Sequence, residues 1–200
     1  MKYFSSFIID YNFDSLLDVG CGKGLFFDDI ASLDKSKLLV GVDLMKKLRG
    51  QYQHVVASAT RLPFKNSAFS LVTAFSLIEH IPKTNRKMFY KEMKRVIRKE
   101  GIFMIQLPNR YSVIESHTYF PFFGFLPSSI HSFAYRGWYV AVPSLKVVIC
   151  SLKEYGFEVC SVEKYEAPFL PFGRFLSKIG FFRLFPMGYI IHVRTKSGDN

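Results

Sequence analysis

Short apolar runs alternate with helical patterns over the first two-thirds of the chain. Strands that alternate with helices in this way form a parallel sheet covered on both faces, so the pattern predicts an α/β fold. Gly101 is expected to end the helix that precedes the fifth strand. The predicted elements are strands at 15–19, 38–42, 54–57, 69–75, 102–107, 157–164 and 187–194, and helices at 25–33, 84–99 and 144–155.

Two connections interrupt the alternation. Residues 108–142 separate the fifth strand from the next helix, residues 166–186 separate the last two strands, and both segments are rich in aromatic residues. Long connections inside a compact domain are usually functional or mobile. Because the first one leaves the carboxyl end of a strand, where ligands bind in open α/β sheets, it is predicted to form a lid over a substrate.

Composition limits the class of protein but does not identify its partner. The 200 residues include 27 Lys and Arg against 16 Asp and Glu, which gives a formal net charge of +11 and permits an anionic partner. Three scattered cysteines form neither a disulfide framework nor a set with zinc-ligand spacing, so a cytoplasmic protein without a metal is expected. No apolar run approaches the roughly 20 residues that span a bilayer.

A glycine cluster after the first predicted strand is the most informative motif. It reads Asp18-Val19-Gly20-Cys21-Gly22-Lys23-Gly24 and is followed by a predicted helix. Glycines at a strand-to-helix turn let a ligand lie against the backbone, and the helix presents N–H groups to an anionic group. Asp18 would be a poor neighbour for a pyrophosphate and a good one for an ammonium group. The motif therefore favours a ligand with a carboxylate, an ammonium group and a ribose.

A second acidic residue lies at the end of the second predicted strand. Asp43 follows the apolar run 38–42 and comes 23 residues after Gly20. This separation places a carboxylate where it can accept both hydroxyls of a bound ribose.

These residues resemble the class I S-adenosylmethionine-dependent methyltransferases, most closely the small-molecule, ubiquinone-biosynthesis-like (type 11) group. The resemblance implies a Rossmann-like, doubly wound sheet of seven strands, mostly parallel with the last strand antiparallel. It also implies one methyltransferase domain at 1–200, with a cofactor-binding half at 1–109, the lid, helix, sixth strand and flap at 110–186, and the last strand and tail at 187–200. The matching segments are 17–24, 42–43, 59–64, 79–81 and 101–109.

The resemblance also implies how S-adenosylmethionine would be held. Asp18 would meet the methionine ammonium group, directly or through water, and Asp43 would hold the ribose hydroxyls. The serine at position 58 departs from the acidic residue usual in the family, and weaker cofactor affinity is expected because a hydroxyl is a weaker acceptor. The other expected cofactor contacts are Gly20, Gly22 and Gly24 along the methionine tail and ribose, Leu44, Ser58 and Ala59 around the adenine, and Phe75 near the sulfur.

Transfer to a hydroxyl would require a base to remove its proton. His80, which follows the fourth strand, is the first candidate, and His117, in the lid segment, is the second. His80 is equally well interpreted as a packed neighbour of the site.

The acceptor and partners stay open at this point. The aromatic lid and the amphipathic, basic segment 173–185 favour a small hydrophobic or lipid-like acceptor and allow peripheral contact with a membrane. Lys and Arg residues over 83–99 are better explained as the solvated face of a helix than as an RNA surface. The alternatives are an RNA or protein methyltransferase and a non-catalytic protein that binds S-adenosylmethionine.

Overall fold

The computed structural model describes residues 8, 11–24, 27, 30, 37–45, 52–112, 140–165 and 186–196. Several predictions fall outside these residues. They are most of the helix at 25–33, of which only Phe27 and Ile30 are described, both as helical, most of the lid segment with His117, and the segment 173–185.

Seven strands form a single mixed sheet, as the resemblance implied. Strands β1 to β5 are parallel to one another, and β7 lies between β5 and β6, antiparallel to both. The order across the sheet is β3-β2-β1-β4-β5-β7-β6. The strands are Ser15–Val19 (β1), Leu38–Asp43 (β2), Gln53–Val56 (β3), Phe69–Ala74 (β4), Ile97–Pro108 (β5), Phe157–Tyr165 (β6) and Gly188–Thr195 (β7).

Two α-helices and two short 3-10 helices are described. Helix α1 spans Arg86–Val96 and follows 3-10 turns at Ile78–His80 and Lys83–Asn85, and α2 spans Leu145–Glu154. The side chain of Ser144 caps α2 by accepting a hydrogen bond from the N–H of Val147 at 3.4 Å.

The predicted end of the helix before β5 is wrong by three residues. Helix α1 ends at Val96, and Ile97 already begins β5. The last carbonyls of the helix accept hydrogen bonds from the loop before β4, with Ser67 donating to Arg95 and Ala68 to Val96. These contacts satisfy the end of the helix before Gly101 is reached.

The central strands of the sheet are buried on both faces. On one face, Phe89 and Met93 of α1 and Val148 and Leu152 of α2 are fully buried against the strands. The amphipathic pattern of α1 is thus confirmed in outline, although Met88, which it also assigned to the apolar side, is 50% exposed. The opposite face is covered by a second cluster, which includes Ile8, Phe13, Phe27, Ile30 and Met104.

The strand order reverses direction between β1 and β4. The chain runs from β1 outward to β2 and β3, then returns to the other side of β1 at β4. In open α/β sheets, ligands bind at such a reversal, beyond the carboxyl ends of the strands. The described helices include none that is long and apolar enough to cross a membrane.

Candidate functional site

The glycine turn after β1 is bonded to the end of β2. The N–H groups of Gly20 and Cys21 both donate to the carbonyl of Val42, at 2.7 and 3.0 Å. The turn continues into helical residues, since the N–H of Phe27 donates to the carbonyl of Gly24 at 3.0 Å. These bonds place the turn directly over the carboxyl ends of β1 and β2.

Two glycines in this turn have different physical reasons to be glycine. Gly20 has φ +79°, and a Cβ there would lie 2.9 Å from Cδ1 of Leu77, so it permits close packing against the turn after β4. Gly22 has φ +54°, and a Cβ there would meet no described atom within 4 Å. Gly20 therefore serves the packing of the fold, whereas Gly22 leaves its backbone open to the crevice.

Asp43 joins β2 to the glycine turn. Its Oδ2 accepts a hydrogen bond from the N–H of Gly22 at 3.0 Å, and its Oδ1 accepts one from the N–H of Met45 at 3.0 Å. Each carboxylate oxygen can accept more than one hydrogen bond, so both can still receive donors from a ligand. The side chain of Asp43 therefore lies beside the glycine turn.

Asp18 is a carboxyl buried beside the reversal point. It is 4% exposed, and the hydroxyl of Thr73 on β4 donates to its Oδ1 at 2.7 Å. Burial raises the pKa of Asp18 to about 7, the hydrogen bond from Thr73 opposes this, and the nearby charge of Asp43 adds to it. No cation is among the described groups that act on this pKa. A positively charged ligand group would lower the pKa of Asp18 and favour its ionised form.

The neighbouring cysteine has no nucleophilic character. Cys21 is 8% exposed, and burial, with smaller effects of Asp18 and Asp43, raises the pKa of its thiol to about 12. Its Sγ would lie 2.8 Å from a Cβ at Gly41, which shows that it packs against β2. The thiol therefore stays protonated and belongs to the core.

The ends of β2 and β3 offer both apolar and polar surface. Leu44, directly after Asp43, is 72% exposed, which is unusual for a leucine next to a buried strand. The hydroxyl of Ser58 lies 2.8 Å from that of Thr60 and accepts a hydrogen bond from the Thr60 N–H at 3.2 Å. Ala59 packs against the large core cluster. Ser58 and Ala59 therefore lie in a tight turn just beyond Asp43, whose carbonyl bonds the N–H of Ala57 at 3.1 Å.

The turn after β4 forms the opposite wall of the crevice. Phe75 is half-buried and packs against the cluster that contains Cys21 and Met104, and His80 ends the short helix Ile78–His80. Glu79 is fully buried, and its carbonyl accepts the N–H of Ala141 at 2.8 Å. Of the two predicted bases, His80 thus follows β4 on the crevice side, and His117 lies outside the described residues.

Two polar residues of this region were not predicted from the sequence. Thr73 lies beside Asp18 in the register of β1 and β4, and Gln106 is buried in the apolar strand β5. The signal for Gln106 was present, because a glutamine inside an apolar strand needs a specific hydrogen-bond partner. Thr73 carried no comparable signal, since threonine is common in strands.

The part of the chain that carries this site is similar to known proteins. A family model described as a methyltransferase domain matches residues 17–105, which include Asp18, Asp43 and His80. The chain is 27% identical over 124 residues to an uncharacterised protein of Methanocaldococcus jannaschii, a match covering 62% of this chain and 54% of that protein. It is 31% identical over 100 residues to a probable S-adenosylmethionine-dependent methyltransferase of Mycobacterium tuberculosis, covering 48% of this chain and 36% of the relative. The chain therefore spans about half or less of these relatives.

A solved structure shares the fold over nearly the whole chain. The crystal structure of an S-adenosylmethionine-dependent methyltransferase from Archaeoglobus fulgidus superposes with a TM-score of 0.69, covering 97% of this chain and 92% of that one. Sequence identity across this superposition is 17%, so the likeness concerns the fold.

Proposed function

We propose that the chain, whose residues 17–105 match a methyltransferase domain model, is a class I S-adenosylmethionine-dependent methyltransferase of the type 11 group and transfers a methyl group from S-adenosylmethionine to a small hydrophobic or lipid-like acceptor. One observation carries this proposal: the carboxyls of Asp18 and Asp43 flank a glycine turn whose backbone is open at Gly22.

The charges and the shape of this crevice fit the cofactor. Asp18 lacks a cationic neighbour among the described groups that act on its pKa, and the ammonium group of the methionine part would supply one. Asp43 retains acceptor capacity for two hydroxyls, and Leu44 offers an exposed apolar surface to the adenine. A side chain at position 22 would project into the open space where the ligand would lie.

The reaction requires little chemistry from the protein. When bound, the cofactor supplies a methyl group already activated on a sulfonium. The chain's residues have to orient the donor and align the acceptor with it, and such positioning supplies up to about 7–11 kcal/mol of a reaction barrier. Asp18 and Asp43 would hold the two ends of the cofactor that flank the sulfur, and Phe75 would shield that region from water.

His80 is proposed as the base for an acceptor that carries a hydroxyl. It lies in the turn after β4, which touches the glycine turn through Leu77 and Gly20. An imidazole in this position would accept the proton that the acceptor loses as the new bond forms. His117 remains a second candidate from the sequence.

The nature of the acceptor is inferred from the two long connections. Segments 108–142 and 166–186 are both rich in Phe, and the first is also rich in Tyr. Aromatic segments that follow the carboxyl ends of β5 and β6 favour an apolar ligand at this edge of the sheet. Segment 173–185 also carries basic residues, which supports contact with a membrane surface from which such an acceptor would be taken.

The contacts of α1 and the start of β5 speak against the RNA alternative. Four basic side chains there serve the fold: Arg86 donates to the carbonyls of Ile81 and Ala141, Lys94 to that of Gly156, Arg95 to those of Leu62 and Phe64, and Arg98 to the carboxylate of Asp14. A smaller share of the charge over 83–99 is therefore available to phosphates than the sequence suggests.

Labelling of cell fractions tests the proposal. Purified protein is incubated with S-adenosylmethionine that carries a labelled methyl group and with apolar, polar small-molecule, RNA and protein fractions of a cell extract. Label is expected in the apolar small-molecule fraction, and its loss is expected with Asp43→Ala. Asp14→Ala is the matched control, since Asp14 lies at the other end of the sheet and pairs with Arg98. Label confined to RNA or protein would refute the proposed acceptor, and binding of the cofactor without any transfer would favour the non-catalytic alternative.

A further inference from the structure

A buried side-chain amide fixes the backbone of the turn after β4. Gln106 is 1% exposed, and its Oε1 accepts hydrogen bonds from the N–H of Ser76 at 2.5 Å and from the hydroxyl of Ser76 at 2.7 Å. Ser76 has φ +50°, a left-handed conformation that costs a non-glycine residue about 1–2 kcal/mol. The two hydrogen bonds therefore stabilise a conformation that serine does not prefer.

The other end of the amide is held as firmly. Nε2 of Gln106 donates to the hydroxyl of Tyr165, which is 3% exposed at the end of β6. Gly188 on β7 makes room for this phenol, because a Cβ there would lie 2.6 Å from the Tyr165 hydroxyl. With Nε2 committed to Tyr165, Oε1 has to face Ser76, so these three residues form one connected unit, named here the amide clamp.

The amide clamp acts on the two walls of the crevice. Ser76 is flanked by Phe75 and by Leu77, and Cδ1 of Leu77 lies 2.9 Å from the Cβ position of Gly20 in the glycine turn. A change in the backbone at Ser76 would therefore displace both Phe75 and the contact between the two turns.

We propose that Gln106 is a positioning residue for methyl transfer, which sets the place of the turn after β4 relative to the glycine turn. The proposal rests on the proposed function, and it adds that the rate of transfer depends on a residue of β5 that acts through Ser76. Gln106 thereby affects alignment of the acceptor more than it affects affinity for the cofactor.

The test compares Gln106→Met, which keeps the length of the side chain and removes its hydrogen bonds, with the wild type. Amide hydrogen exchange on the ligand-free protein is expected to speed up about tenfold or more at Ser76, since its N–H loses its acceptor. Calorimetric affinity for S-adenosylhomocysteine should stay within about threefold. The kcat for transfer to the labelled extract fraction should fall about tenfold or more, with the KM for S-adenosylmethionine little changed.

A second substitution separates positioning from packing. Glycine adopts the conformation of residue 76 without strain, so Ser76→Gly in the Gln106→Met background is expected to recover part of the lost kcat. Thr195→Val is the matched control, because Thr195 is also buried and makes two hydrogen bonds, to Glu100 and Arg98, at the other end of the sheet. It should lower the melting temperature and leave kcat unchanged. If Gln106→Met does not fold, Tyr165→Phe, which frees the amide to rotate, should show the same split in smaller measure.

The outcomes are distinguishable. A wild-type kcat in the folded Gln106→Met protein, unchanged exchange at Ser76, or a loss of kcat that glycine does not restore would each overturn the positioning role alone. A wild-type protein that binds no S-adenosylhomocysteine and labels no fraction would refute the proposed function, and the positioning role with it.

Discussion

The carboxyl of Asp18 is expected to destabilise the folded protein and to strengthen its binding of the cofactor. Its pKa is about 7 in the folded state, against 3.8 for an unperturbed aspartate, chiefly because it is buried. Between these pH values the folded state binds more protons than the unfolded state, so stability falls as the pH rises from about 4 to about 7 and then levels off. A difference of about three pKa units corresponds to about 4 kcal/mol.

Replacement of Asp18 by asparagine removes the charge and keeps an oxygen to accept the hydroxyl of Thr73. Removal of the buried charge is expected to raise the free energy of unfolding by about 4 kcal/mol at pH 8. Burial of the new amide N–H groups lowers it by about 1–3 kcal/mol. We therefore expect Asp18→Asn to be more stable than the wild type by about 1–3 kcal/mol at pH 8, and to lose this advantage near pH 4.

The same substitution should weaken binding of S-adenosylhomocysteine, whose ammonium group loses its charged partner. A hydrogen bond to a charged group contributes about 1.5–3 kcal/mol, or about 10- to 100-fold in Kd. Wild-type affinity should also fall as the pH drops below about 7, because Asp18 takes up a proton, whereas the affinity of the variant should lack this dependence.

Urea unfolding and calorimetry at pH 4.5, 6 and 8 measure both effects. Asp14→Asn is the control, because hydrogen bonds from Ser15, Arg98 and Ser70 hold the pKa of Asp14 well below its usual range. This control should lose stability at pH 8 and keep its affinity. An Asp18→Asn protein that is less stable than the wild type at pH 8, or that binds S-adenosylhomocysteine equally well, would refute this reasoning.

Four further substitutions test other parts of the site. Asp43→Ala should raise the calorimetric Kd for S-adenosylhomocysteine about 100-fold or more, since two ribose hydroxyls lose a charged acceptor; a change below about threefold would contradict its role. His80→Ala should slow transfer to the labelled fraction and leave that Kd nearly unchanged; full activity on the true acceptor would show that His80 is not the base. Gly22→Ala should cost about 1–2 kcal/mol in urea unfolding, through backbone strain alone, and weaken binding by placing a methyl group in the crevice. Gly20→Ala should cost more stability, because its Cβ would also press on Leu77, and equal losses for the two glycine variants would contradict this distinction.

The sheet could be predicted because each strand combines an apolar run with a local stop signal. β1 was predicted with its observed bounds, since all five of its residues are buried and glycine follows it. The start of β5 could not be predicted in the same way. Arg98, Lys99 and Glu100 resemble a helix end by composition, and the strand begins at Ile97 because Ile97 pairs with Phe69 on β4, a contact set by tertiary structure.

Candidate site residues could be proposed from the sequence where their chemistry follows from spacing along the chain. Asp18 could be identified because it comes two residues before the first glycine of the turn, and Asp43 because it ends the next strand along the chain. Gln106 required knowledge of which elements are neighbours, because its partners Ser76 and Tyr165 come from the turn after β4 and from β6, 30 and 59 residues away. A polar residue in an apolar run shows that a partner exists, and only the fold shows which one.

The two aspartates near the ends of β1 show how the fold separates stability from function. Asp14 accepts hydrogen bonds from two hydroxyls and pairs with Arg98, so the protein itself stabilises the charge. Asp18, four residues later, receives one hydroxyl in a buried setting, and its pKa rises to about 7. Selection for stability alone would favour a neutral residue at position 18, because a buried carboxylate without a cation is costly. No cation is among the described groups that act on the pKa of Asp18. This carboxylate precedes the glycine turn, whose backbone is open at Gly22, and a cationic ligand there would supply the missing positive charge.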